Sequence, residues 1–163
     1  MALTEAEFVA RYGGIYEHSA WVAEEAAPIT AATEDINIIA QVMADCVDNA
    51  STGRQLALIR AHPDLAGKAQ IAGELTEDST SEQASAGLDQ CSPEEYERFQ
   101  ALNREYHQKF GFPFVMAVRD SGRGDILAAF ENRMENDQST EFETALAEIH
   151  KIARLRFNAM EAG

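Results

Sequence analysis

Along most of this chain apolar residues recur every three or four positions, the spacing of a helix that turns one face to a core. Over 34–50, Ile36, Ile39, Met43, Cys46 and Val47 make one stripe, with Glu34 and Asp35 set against the dipole of the first turn. In the last segment Phe142, Leu146, Ile149, Ala153, Phe157 and Met160 trace another. Thr4 with Glu7 forms a capping box ahead of Phe8, Tyr12 and Ile15, until Gly13-Gly14 loosens the pattern. A second short helix runs from His18 and is closed by Pro28, and Ser51 caps the next, with Leu56 and Ile59 inward. Ser92-Pro93-Glu94-Glu95 combines an N-cap serine, a proline at the first helical position and a glutamate at the third. That helix continues through Tyr96, Phe99, Leu102, Tyr106 and Phe110 and stops at Gly111. The turn from Asp120 to Gly124 opens a helix over 125–135, and Thr140 with Glu143 caps a long one to residue 160. Only 112–118 reads as β-like. Pro113 argues against a central strand, and with no second strand to pair with, the run is an extended buried connector. The pattern predicts an all-α fold: one compact domain over 1–163, with seven or eight helices.

Composition narrows the function classes. Thirteen Lys+Arg against 28 Asp+Glu give a formal charge of −15 over 163 residues, a field that disfavours nucleic acid and anionic lipid as partners. No apolar run approaches the length of a membrane-spanning helix. The acidic N-terminus lacks a secretory pattern and the C-terminus a peroxisomal address. Cys46 and Cys91 form no CxxC and point to a reducing compartment. Cytoplasm is the expected location. No HxxxH, HExxH, P-loop, GxGxxG or GxSxG occurs, so neither a metal site nor a cofactor is expected.

Three places break their local rule. His62 precedes Pro63, whose ring pushes it out of the α region, so a helix entering from residue 52 ends near this imidazole. The turn continues with Asp64 and closes at Gly67. His62 is either a helix-terminal residue favoured by the dipole or a reactive group on a loop. Next, Ser79 with Glu82 and Thr80 with Gln83 form two overlapping capping signals ahead of a short Ala/Gly-rich helix over 84–88. Capping accounts for one pair and not both. Finally, Arg156 lies inside the apolar face of the last helix, whereas Lys151 and Arg154 lie outside it. A guanidinium aimed at a core needs a partner, either a protein carboxylate or an anionic ligand. His18, His107 and His150 sit beside charged neighbours on amphipathic helices and read as surface or edge residues.

Together, HPDLAGK at 62–68, LTEDSTSEQASAGLD at 75–89, LNREYHQKFGFPFVMAV at 102–118 and IARLRF at 152–157 resemble the family of 2-oxo-4-hydroxy-4-carboxy-5-ureidoimidazoline (OHCU) decarboxylase. The likeness runs over roughly residues 55–160, and the first fifty residues match in helical pattern. It implies a cofactor-free, all-helical decarboxylase, usually a homodimer, acting on a small molecule at the last step from urate to (S)-allantoin. His62 takes the family's catalytic histidine position, with Glu82 and Arg156 as its catalytic partners. Pro63, Ser79, Glu82, Gln83, Phe114, Val115 and Arg156 take the positions that hold substrate. Two other readings compete: a non-catalytic helical module that docks a basic partner, and a lyase or hydrolase for a different heterocycle. The first predicts that His62, Glu82 and Arg156 share no pocket.

Overall fold

The structure is a computed structural model that describes residues 3–30, 33–66, 75–119 and 121–162. Gly67 and Asp120, assigned to turns by the sequence, lie outside the described residues. Among those described there are eight α-helices, one short 3-10 turn at Leu88–Gln90, and no strand. The chain divides into two compact units, one made of Met1–Ala61 with Ile149–Gly163 and the other of His62–Glu148.

The first unit opens with α1 (Glu5–Tyr12), where the Thr4 hydroxyl accepts from Glu7 N and Glu7 Oε1 accepts from Thr4 N, the expected capping box. Helix α2 (Trp21–Thr30) starts three residues later than His18 and is not closed by Pro28, which lies inside it. A proline removes only its own amide bond and strains the carbonyl four residues back, and here the helix ends two residues further on. In α3 (Ile36–Asp48) the Asp35 carboxylate caps Asn37 N, and Ile39, Met43 and Val47 are buried. Helix α4 (Thr52–Arg60) is capped by Ser51 as expected, but Leu58 and Ile59 are its fully buried residues, with Leu56 only half-buried. It stops at Arg60, two residues before His62, where the proline restriction places the boundary.

The second unit holds α5 (Glu77–Ser85), α6 (Pro93–Phe110), α7 (Arg123–Arg133) and the start of α8 (Gln138–Ala162). Three helix starts differ from the sequence reading, α7 beginning at Arg123 with Gly122 at its N-cap rather than at residue 125. Thr76 caps α5 by accepting from Ser79 N at 3.2 Å, so Ser79 and Thr80 lie inside the helix and cap nothing. Glu77 and Asp78 fill its first turn, where the dipole favours acids. At α8 the Asp137 carboxylate, not Thr140, accepts from the third helical amide, at 2.7 Å. Helix α6 is bounded as expected by the Ser92/Glu95 box and by Gly111 at φ 78°, a left-handed conformation that glycine adopts without the steric cost of a Cβ. Residues 112–118 then run extended without pairing. Tyr106 is the hub of this core, with Phe110, Phe112, Phe114 and Phe130 packed around its ring at centroid distances of 4.4 to 5.9 Å.

Candidate active site

Because α5 is capped at Thr76 and begins at Glu77, Ser79, Glu82 and Gln83 fall at i, i+3 and i+4 on one helical face. Ser79 and Gln83 are buried and Glu82 is half-buried. Gln83 spans the gap to the turn behind His62: its Oε1 accepts from Ala66 N at 2.9 Å and its Nε2 donates to Asp64 O at 3.3 Å. Each half of the amide keeps one further bond to make, since the oxygen has two lone pairs and the nitrogen two protons. His62 is 7 % exposed. Gln83 therefore ties the α5 face that bears Ser79 and Glu82 to the turn that follows His62.

The connector after α6 is gripped by side chains. Glu141, fully buried, accepts from Tyr106 Oη at 2.6 Å, Arg133 Nε at 2.8 Å and Asn136 Nδ2 at 2.9 Å. Burial, with the Glu141 bond behind it, pushes the Tyr106 phenol far above its ordinary value. Arg133 Nη1 donates in turn to Val115 O at 2.7 Å, and its guanidinium lies 4.2 Å from the centre of the Phe114 ring. Phe130 stacks on the same ring at 3.9 Å. Phe114 and Val115 are thus buried and immobilised.

In the first unit, Arg156 is 3 % exposed and meets a carboxylate that the sequence did not mark, Glu17, itself 2 % exposed. Nη2 donates to Glu17 Oε2 at 3.2 Å and Nη1 to Ile15 O at 3.2 Å. The unit carries a second polar chain, in which Tyr16 Oη bonds His150 Nδ1 and His150 Nε2 bonds Asp48 Oδ1, both at 2.9 Å. Burial, then the Asp48 charge, raises the Tyr16 phenol. Tyr16 and His150 border a cleft of about 160 Å³ lined also by Asn37, Gln41 and Arg154, and none of the expected site residues lines it. Among the described residues no cluster of His, Cys, Asp and Glu could hold a metal ion, and no helix is long and apolar enough to cross a membrane.

A family model described as OHCU decarboxylase matches residues 1–158. The chain belongs to the OHCU decarboxylase family. A relative from Haloferax volcanii, named 2-oxo-4-hydroxy-4-carboxy-5-ureidoimidazoline decarboxylase, is 47 % identical over 154 residues, which is 94 % of this chain and 89 % of that protein. The crystal structure of an (S)-allantoin synthase superposes with TM-score 0.75 at 35 % identity, covering 95 % of this chain and half of that one. The crystal structure of an OHCU decarboxylase in the presence of (S)-allantoin superposes with TM-score 0.74 at 23 % identity, covering 91 % of this chain and 96 % of that one, a likeness of fold. Membership in a family of OHCU decarboxylases sets aside the interaction module and the unrelated hydrolase.

Glu17, Gln100, Asn103, Arg133 and Glu141 escaped the sequence reading of this OHCU decarboxylase family member. For Asn103 a signal existed. It falls four residues after Phe99 and three before Tyr106, inside the apolar face of α6, the same anomaly that singled out Arg156. Glu17 gave none, because an acid in the irregular segment between α1 and α2 has no periodicity to violate.

Proposed function

We propose that this carboxy-lyase removes CO₂ from OHCU to give (S)-allantoin, the last step of urate oxidation, with no cofactor. His62, Glu82 and Arg156 are the catalytic set, and Pro63, Ser79, Gln83, Phe114 and Val115 line the substrate site. The observation that carries this reading is the buried turn of His62 tied by Gln83 to the α5 face that bears Ser79 and Glu82. Loss of CO₂ from a quaternary carbon leaves an electron pair that must flow into the adjacent C=N/C=O system, after which the carbon takes a proton on one face. A neutral imidazole can accept a substrate proton and return one. Glu82 and the second lone pair of Gln83 Oε1 are acceptors for ureido and ring N–H groups. Arg156 supplies a fork for a carboxylate or ring oxygen, and its help must grow as charge develops, since gripping the departing carboxylate alone stabilises the ground state. Glu17 beside it tempers that grip by sharing the guanidinium.

Family resemblance supports one domain and a homodimer, and the two free thiols support a cytoplasmic location. His62→Asn should lower kcat by about 10²- to 10⁴-fold, the contribution of a positioned acid/base. Freshly generated OHCU, followed by circular dichroism, gives a single allantoin enantiomer with the enzyme and a racemate by spontaneous decay. Near-normal, enantioselective turnover by His62→Asn would remove His62 from the role.

A further inference from the structure

The turn behind His62 is read by one face of α6. Gln100, Asn103 and His107 lie at i, i+3 and i+7 along that helix, and each meets a successive residue of the turn. Gln100 Nε2 donates to Ala66 O at 2.7 Å, Asn103 Nδ2 donates to Leu65 O at 3.0 Å, and His107 Nε2 pairs with Asp64 Oδ1 at 2.8 Å. With Gln83 on the other side, both backbone polar groups of Ala66 are held by side-chain amides. What they hold is strained, because Ala66 stands at φ 52°, a left-handed conformation that a residue with a Cβ rarely adopts. Such strain persists only where the surroundings over-determine it, and it gathers at active sites.

Asn103 separates positioning from mere stabilisation. Its side chain is 4 % exposed, and the Leu65 carbonyl fixes which end of the amide is the donor. The remaining end, Oδ1, is buried with no donor among the described residues. An unmet buried acceptor costs at least as much as one hydrogen bond returns, so the residue adds little to the net stability of the fold. Its donor nonetheless fixes the carbonyl three residues after His62.

We propose that Asn103 is a positioning residue that sets the His62 imidazole through the Leu65 carbonyl, with Gln100 supporting it from the same helical face. This rests on the reading of His62 as the acid/base. Displacement of a catalytic group by about 1 Å can cost about a hundredfold in rate. Asn103→Asp keeps the shape and turns an oxygen toward the Leu65 carbonyl. It should lower kcat by roughly ten- to a hundredfold with KM changed less than about threefold, and lower the thermal midpoint as well, because a carboxylate is then buried against a carbonyl oxygen.

The deciding measurement is a cycle with His62→Asn. If Asn103 acts through His62, the double variant turns over at the rate of His62→Asn alone, and if it acts by loosening the fold, the two losses multiply. Gln100→Leu, at a half-exposed position, repeats the test should Asn103→Asp fold poorly, with a smaller fall in kcat and the same non-additivity. Parent-like kcat in Asn103→Asp and Gln100→Leu, or multiplicative losses, overturns the positioning role while leaving His62 in place. Near-normal turnover by His62→Asn removes the catalytic reading and this proposal together.

Discussion

A single residue, Arg156, holds a buried ion pair and, in the function proposed above, also serves the substrate. Its pair with Glu17 is almost wholly out of water, and removing one member of such a pair strands the other charge at a cost of about 3–5 kcal/mol. Glu17→Ala should therefore destabilise the fold by that order in a denaturant titration. Replacing both partners with apolar residues, Glu17→Leu with Arg156→Met, should recover most of the loss, because neither charge is then left buried alone. Activity is expected to separate from stability in this double variant, which folds and does not turn over. A double variant that is both stable and active would make Arg156 structural. Both alternatives that the sequence left open for this guanidinium, protein carboxylate or anionic ligand, are thus brought to one experiment. The carboxylate itself was invisible beforehand because Glu17 lies in no periodic element.

At the scale of elements, most helices were legible because capping and apolar spacing agree in them, as at Ser92-Pro93 and at Ser51. Among the starts that moved, α5 and α8 did so because a better cap stood upstream: Thr76 with two acids behind it, and Asp137. The first shift matters chemically, since it converts Ser79, Glu82 and Gln83 from cap partners into one face of a helix. The caps also carry a pH dependence. Hydrogen bonding from Thr140 N holds the Asp137 carboxyl below its ordinary value of 3.8, and hydrogen bonding from Ser92 N does the same for Glu95 against 4.5. A carboxyl depressed in the folded state stabilises fully above its unfolded pKa and loses that contribution as pH falls through the folded one. Thermal midpoints should thus hold from neutral pH to about 5 and decline below about 4. In Asp137→Asn the acid-side decline should be shallower, and a slope equal to that of the parent would show that this cap does not titrate with folding.

The whole molecule contains one stretch that could betray it. Residues 114–118, Phe-Val-Met-Ala-Val, combine β propensity, hydrophobicity and an absence of charge and proline, the makeup of segments that stack into fibrils. Neighbouring strands usually neutralise such a run, and here charged side chains take over, with Arg133 on the Val115 carbonyl and Glu148 on the Ala117 amide at 3.1 Å. Arg133→Leu is expected to fail by clouding, detected as light scattering and thioflavin fluorescence at temperatures where the parent stays clear, and a clear solution through a reversible melt would refute that. The net charge of −15 opposes indiscriminate aggregation of the parent, and that repulsion fades with salt. The guard on this hidden ribbon is therefore ionic, and storage in brine or acid would wear down the same defence that one lost guanidinium removes outright.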